Sequence, residues 1–323
     1  HIASRGGAIA LSAITVLIGA FIFLACNAKV KPLLLLPIIL LLVPNNISAV
    51  STTTALVVQG NVPELGLDFN SRAKEVFNNH VIETKKALTN KGKIDFIVWP
   101  ENAVDVDPYT NVDVFVQLEA FEQPLIIGAI VRKDGKLLNT SILWGDATQK
   151  IYVKQHLTPF GEYIPLRSIA SKISPLVDRV NDFSPGDQGM IFDIGAARIA
   201  PIICFELIDD QILHDAAKSS NLFVVQTNSA TFGKSPESAQ QLSITRVRAI
   251  EHSRNVLSVS TTGYSAVIDY KGKVVQQTSM ASAEHLYASV GLVDQESVRD
   301  KLGDWASVGI LIWLLLVARR MRI

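Results

Sequence analysis

Cysteine is almost missing from this chain. Among 323 residues there are two, Cys26 and Cys204. That excludes a disulfide framework and a cysteine-rich metal site. Net charge is missing too, with 30 basic residues against 30 acidic. Hydrophobic residues make up 48% and the mean hydropathy is +0.28, which excludes an intrinsically disordered chain. With no basic run in the middle, a nucleic-acid binder is excluded as well. The sequence has no GxSxG, Walker loop, GxGxxG or HExxH. Its six histidines (His1, His80, His156, His214, His252 and His285) show no ligand spacing.

What is present is distributed unevenly. Residues 1–63 carry Arg5, Lys29 and Lys31 and no acid, and residues 304–323 carry Asp304, Arg319, Arg320 and Arg322. Residues 64–303 hold 24 of the 30 basic and 29 of the 30 acidic groups. A polar, mildly acidic middle therefore sits between two basic, apolar ends, the outline of a membrane-tethered domain. Ala8–Cys26 is an uncharged apolar stretch of spanning length. Leu33–Val43 is more apolar but broken by Pro37, and reaches spanning length only by running through Pro44, Asn45 and Asn46 to Val50. Trp305–Ala318 is a third candidate, closed by Arg319 and Arg320. The expectation is two transmembrane helices within 1–50 (about 8–26 and 33–50), a folded domain at 55–303, and a C-terminal helix with a basic tail at 304–323. A signal-peptide core is the alternative for the first segment, because Arg5 precedes it. A second apolar segment follows at once, however, and no small-residue cleavage site ends the first. The start at His1 suggests that an N-terminal portion with further spans precedes this chain.

Lys29 and Lys31 mark the turn between the first two spans as cytoplasmic, and the terminal arginines mark the C-terminus as cytoplasmic too. Residues 55–303 are then expected outside. Cys26 at the membrane edge lies far from Cys204, so no disulfide is expected.

Within the middle domain, apolar runs of strand length alternate with helical stretches. The expected strands are Ala55–Val58, Ile94–Trp99, Pro124–Val131, Ser141–Trp144, Arg198–Cys204, Asn221–Gln226, Val256–Ser260, Ser265–Ile268 and Leu286–Leu292. Several are apolar on both faces, as in a covered sheet. Ala73, Val76, Phe77, Val81 and Leu88 form one helical stripe, with Ser71 as a possible cap. Leu242, Val247 and Ile250 form another within Pro236–Arg254. Lys271-Gly272 reads as a turn between strands. The fold class is α/β, layered, with a mixed sheet. Asn139-Thr140-Ser141 fits a glycosylation sequon, a pattern common by chance.

Three apolar strands end on a reactive group. Phe96-Ile97-Val98-Trp99-Pro100 leads to Glu101. Tyr152-Val153 leads to Lys154, followed by Pro159-Phe160-Gly161-Glu162. Pro201-Ile202-Ile203 leads to Cys204-Phe205-Glu206. A carboxylate, an amine and a thiol are the ingredients of covalent acyl transfer: a base for the thiol, and a cation for thiolate and oxyanion. Taken singly, each has a plainer reading. Cys204 would be a small buried hydrophobe, Glu101 a helix-starting acid, and Lys154 a solvated charge.

Together, in this order, these residues resemble the Glu–Lys–Cys triad of the nitrilase superfamily. In detail the chain resembles that superfamily's bacterial lipoprotein N-acyltransferase branch. The likeness runs through Val58-Gln59-Gly60-Asn61-Val62-Pro63, Trp99-Pro100-Glu101, Lys154 with the Pro159–Glu162 block, Cys204-Phe205-Glu206 and residues 227–233. It continues through Arg246-Arg248-Ala249-Glu251-Arg254, Thr261-Thr262-Gly263 and Gly303-Asp304-Trp305. It implies an α-β-β-α sandwich on the outer face of a bacterial cytoplasmic membrane, with no metal or organic cofactor. It also implies a ping-pong reaction. A phospholipid gives an acyl chain to Cys204, and the α-amine of a diacylglyceryl-cysteine lipoprotein takes it. Glu101 would be the base, and Lys154 with the Phe205 backbone N–H the oxyanion donors. Glu162 would position Lys154 or the amine, and Glu206 would support the pocket wall. Phe205 stands where Tyr is commoner and Thr231 where Trp is commoner. A loop Trp is absent, with Phe69 the nearest aromatic. The rival implications are a membrane-anchored amidohydrolase with the same triad, and a non-catalytic interaction domain.

Overall fold

The structure is a computed structural model describing residues 3–26, 47–62, 74–89, 92–146, 149–173, 182–233, 235–303 and 305–321. Most of the expected span Leu33–Val50 lies outside these residues. So do Lys29, Lys31, Pro63, Phe69, Ser71, Ala73, Asp304 and Arg322, and the side chains of Cys26, Thr231 and Arg320.

The first half of the chain forms α1 (Ala3–Cys26), β1 (Ser51–Gln59), α2 (Glu75–Leu88), β2 (Phe96–Val98), α3 (Val112–Glu119), β3 (Leu125–Lys133), β4 (Lys136–Trp144), β5 (Ile151–Val153) and α4 (Arg167–Ile173). The second half forms β6 (Phe192–Ile194), β7 (Ala197–Ile203), α5 (Asp210–Ser219), β8 (Leu222–Thr227), α6 (Glu237–His252), β9 (Asn255–Ser260), β10 (Ala266–Ile268), β11 (Val274–Gln277), β12 (Glu284–Leu292), α7 (Val298–Leu302) and α8 (Trp305–Met321). Short 3-10 turns occupy Cys204–Ile208 and Ala230–Phe232.

The strands form two mixed sheets of six, rather than one. Their orders are β12-β1-β2-β3-β4-β5 and β11-β10-β9-β8-β7-β6. Each has a parallel core, β1-β2-β3 in one and β7-β8-β9 in the other, flanked by antiparallel strands. Side-chain alternation sorts residues into layers. Ala55, Val57, Phe96, Val98, Ile203, Val224 and Leu257 fill the space between the sheets. Leu56, Val58 and Ile97 face α2 and α3, where Phe77, Val81, Val114 and Leu118 cover them. Ala200, Ile202, Phe223 and Val225 face α5 and α6. The result is a four-layer α-β-β-α sandwich. All nine expected strands are present. The Tyr152-Val153 strand that leads to Lys154 is β5, and Lys271-Gly272 is the turn between β10 and β11. No expectation covered β6, three residues long and too short for a periodic signal.

The expected stripe on α6 needs correcting. Leu242, Val247 and Ile250 are only half-buried, and the buried face carries Ser238, Thr245, Arg248, Ala249, Glu251 and His252. The polar face is buried because α1 lies against this helix and against α7 and α8. Gly7, at φ +69°, breaks α1, and the Ala8 N–H then donates to Glu251 Oε1 at 3.1 Å. A Cβ on Gly7 would lie 2.3 Å from that oxygen, so only glycine fits. The uncharged stretch expected from Ala8 thus begins at a capped helix start. Among the described residues, α1 is the one helix long and apolar enough to cross a membrane. At 17 residues, α8 reaches about 25 Å, at the lower end of the lengths that span a ~30 Å hydrocarbon core.

Candidate active site

Three strand ends converge. Trp99, fully buried, fixes the first. Its ring packs edge-on against Phe77 and Phe121, and its N–H donates to Thr84 Oγ1 at 2.9 Å. Gln226, at the end of β8, reaches across the layers to the Trp99 carbonyl at 2.7 Å. Glu101 therefore leaves β2 along a fixed path. That path runs so close to β3 that a Cβ on Gly128 would lie 2.3 Å from the Pro100 carbonyl.

The second strand end is β5. Lys154 N–H donates to the Asn139 carbonyl on β4, and its own carbonyl accepts from Gly186 N–H, both at 2.9 Å. The third is β7, where the strand stops at Ile203 and Cys204 enters a 3-10 turn with φ +50°. Asn102 (φ +56°) and Phe160 (φ +63°) are left-handed as well. Each of the three segments thus carries one strained non-glycine residue, and such strain concentrates at functional sites.

The side chains meet in a buried cluster. Lys154 Nζ lies 3.2 Å from Glu101 Oε1 and 2.8 Å from Glu162 Oε2, with Thr158 Oγ1 at 3.3 Å. Asn139 Nδ2 bridges the two carboxylates, 2.7 Å from Glu101 and 2.5 Å from Glu162. Thr158 N–H donates to Glu162 Oε2 at 2.7 Å. Burial pulls Lys154 towards neutrality, but the charges of Glu101, Cys204 and Glu162 outweigh it and raise its pKa. It is a cation at neutral pH. Burial pushes the Glu162 carboxyl up, yet Lys154, Asn139 and the Thr158 amide bring it below its ordinary range.

Cys204 sits in the same field. Burial and the charge of Glu101 push its thiol up, and Lys154 recovers only part of that. A nearby cation alone therefore does not make Cys204 a thiolate. The resting group is a thiol, and any reaction at sulfur needs a base to take its proton. Gln241 Nε2 on α6 stands 3.5 Å from Cys204 Sγ.

Glu206, expected to support the pocket wall, lies behind the cluster. It is fully buried and ties two strand ends together. It accepts from the Tyr152 hydroxyl (2.7 Å) and the Gln155 and His156 amides (2.6 and 3.4 Å) on the Lys154 side. On the Cys204 side it accepts from Ile203 N–H at 2.7 Å. Phe205 packs its ring edge-on against His156, and Asp209 caps α5 while holding His156 Nδ1 at 2.8 Å.

Sequence reasoning missed Asn139, Thr158, Gln241 and Glu237. Asn139 carried a signal, the one amide in β4, which also reads as a sequon. Its side chain is 1% exposed and engaged by two carboxylates, so the folded chain offers no glycosylation acceptor there.

A carbon–nitrogen hydrolase family model matches residues 54–300, the whole sandwich. The chain belongs to this family. Solved members agree in fold. The CN-hydrolase superfamily protein XC1258 from Xanthomonas campestris superposes with a TM-score of 0.56 at 14% identity, covering 81% of this chain and 97% of that one. Saccharomyces cerevisiae Nit3 gives 0.55 at 17% identity, covering 80% and 95%. In sequence the chain is similar to apolipoprotein N-acyltransferases. It is 35% identical to that of Mycolicibacterium smegmatis over 254 residues, 73% of this chain and 43% of the relative. It is 31% identical to that of Geobacter metallireducens over 287 residues, 83% and 54%. The chain thus spans about half the length of these curated relatives.

Proposed function

We propose that this chain carries the catalytic domain of a lipoprotein N-acyltransferase. Glu101 takes the Cys204 proton as the sulfur attacks a phospholipid ester. Lys154 Nζ and the Phe205 N–H hold the tetrahedral oxyanion. Glu101 returns the proton to the departing lysophospholipid, leaving a thioester. The α-amine of a diacylglyceryl-cysteine then attacks. Glu162 and Asn139 position Lys154, and Glu206 holds the two strand ends in register.

What carries the reading is the buried Glu101–Lys154–Cys204 cluster in a chain similar to such enzymes over most of its length. Two further features support lipid substrates. Large apolar side chains stand exposed on the segments that carry Lys154 and Cys204: Phe160 at 70% and Ile208 at 49%. The apolar helix α1 also packs on α6, which carries Gln241.

The test is intact mass after exposure to phospholipid. The unchanged chain should gain one acyl group, lost on adding a diacylglyceryl peptide. Cys204→Ala should gain none and keep its unfolding midpoint. Acylation of the alanine variant would sink the assignment, and release of free fatty acid instead of acyl peptide would favour an amidohydrolase-like use of water.

The same reading places the enzyme in a bacterial cytoplasmic membrane, with residues 55–303 outside and Lys29, Lys31 and the terminal arginines inside. A cysteine introduced at Lys271, in the exposed β10–β11 turn, should react with an impermeant thiol reagent on intact spheroplasts. One placed after Arg322 should not, and the reverse pattern would overturn this topology.

A further inference from the structure

One carboxylate beside the nucleophile has no role in that mechanism. Glu237 opens α6, one turn before Gln241 on the same helical face, and Gln241 Nε2 reaches Cys204 Sγ. The Glu237 carboxylate is hydrogen-bonded to Ser229, just beyond the end of β8. Its Oε2 is buried without a hydrogen-bond partner. A buried, unmet acceptor of this kind is costly. Burial and the nearby charge of Glu101 both hold the Glu237 carboxyl above its ordinary range. Lys154, the cation of the cluster, is already engaged by Glu101, Glu162 and Thr158. Among the described residues the charge acting on Glu237 is the like charge of Glu101, so its unmet oxygen suits a cation that arrives from outside.

The reaction supplies one. An α-amine has a pKa of about 7.7–8.0, so much of it enters as an ammonium, which has no lone pair to attack with. It must lose two protons overall, one before attack and one as the amide forms. Glu101 carries a single proton, from nucleophile to leaving group. Water as acceptor needs no second base, because it attacks in its neutral form.

We propose that Glu237 binds the acceptor's α-ammonium and removes the first of these protons. The proposal rests on the acyltransferase reading. The ammonium gives one proton to the Glu237 carboxylate. The free amine forms the N–C bond at the thioester carbonyl and the C–S bond breaks. Glu101 takes the second proton from nitrogen and passes it to Sγ, restoring the thiol, while Glu237 releases its proton to water.

The experiment uses the full chain in phospholipid, loaded on Cys204 and then mixed with a diacylglyceryl peptide from about pH 6 to 9. Glu237→Gln should slow transfer to the amine at least tenfold at the acid end, far more than it slows thioester formation. Its transfer rate should climb about tenfold per pH unit up to the amine's own pKa, because only pre-deprotonated acceptor reacts. The unchanged chain should show a flatter profile, and Glu237→Asp should recover part of it. Parallel profiles for the unchanged chain and the glutamine variant would overturn the proposal. So would equal slowing of loading and transfer, which would mean that Glu237 serves Cys204 instead. Failure of the unchanged chain to form any thioester would overturn the acyltransferase reading itself and this proposal with it.

Discussion

Two buried ionic clusters, one beside Cys204 and one under α1, are built from similar parts to opposite ends. Beside Cys204, Glu101 and Glu162 share Lys154, and the atoms left over are acceptors, Glu237 Oε2 and Asn139 Oδ1. Under α1, Glu251 is fully engaged. Oε1 takes the Ala8 amide and lies 3.7 Å from Arg299 Nε, and Oε2 takes Arg248 Nη1 at 2.6 Å. Arg248 also holds Asp210 at 2.6 Å, and Asp300 receives His214, His252 and Ser297. The atoms left over there are Arg299 Nη1, a donor, and the His252 ring nitrogen Nε2. A cluster that closes on itself joins helices. One that leaves acceptors beside a thiol is open to a cationic ligand and a proton.

The largest effect should come from breaking the first cluster at its cation. Removing one oxyanion donor costs ~3–4 kcal/mol of barrier, about a hundred- to thousand-fold in rate. Lys154→Met should lose at least that in thioester formation. Because Lys154 is 1% exposed between two carboxylates, the variant should also lose about 3–5 kcal/mol of stability. Lys154→Met combined with Glu162→Gln should recover part of the stability and none of the rate, by denaturant unfolding and intact-mass kinetics. A drop in rate below tenfold would make Lys154 a structural cation like those under α1.

Breaking the second cluster should do the reverse. Glu251→Ala uncaps Ala8 and leaves Arg248 and Arg299 facing each other's charge, for a loss of about 3–5 kcal/mol. Hydrogen exchange should locate the opening at the α1–α6 contact, while acyl loading per folded molecule stays near that of the unchanged chain. A loss of loading as deep as that of Lys154→Met would show that the two clusters act as one.

The first cluster was far more legible in the sequence than the second. Glu101, Lys154 and Cys204 each follow a short apolar run, so the runs located the strand ends and chemistry picked the residues. Lys154 and Glu162 lie eight positions apart on one segment, and their pairing needed only a turn. The second cluster gathers Gly7, Asp210, Arg248, Glu251, Arg299 and Asp300 from four elements, and no local pattern links them. The α6 stripe was misread for the same reason. A helix buried against another chain segment by ion pairs shows a polar face, which periodicity assigns to solvent. Asn139 and Glu237 were missed because an amide in a strand and an acid in a helix's first turn both have ordinary local explanations.

The smallest effect concerns alkali, and it separates the clusters without touching a charge. The Cys204 thiol titrates higher in the folded chain than in the unfolded one, because burial and Glu101 oppose the anion. Above the unfolded thiol's pKa of about 8.5, the folded state therefore holds more of that proton than the unfolded state does. Stability falls as pH rises wherever the folded state binds the extra proton, at ~1.4 kcal/mol per pH unit for one group. That loss begins near the unfolded pKa and ends only at the raised folded one. Cys204→Ala removes it, so the variant's stability relative to the unchanged chain should grow by about 1 kcal/mol between roughly pH 8.5 and 9.5 and stay constant below. Urea titrations of both proteins across that range would show it. A difference that does not change with pH would mean that Cys204 already ionises at its ordinary pKa, and that the resting nucleophile carries more thiolate than its surroundings imply.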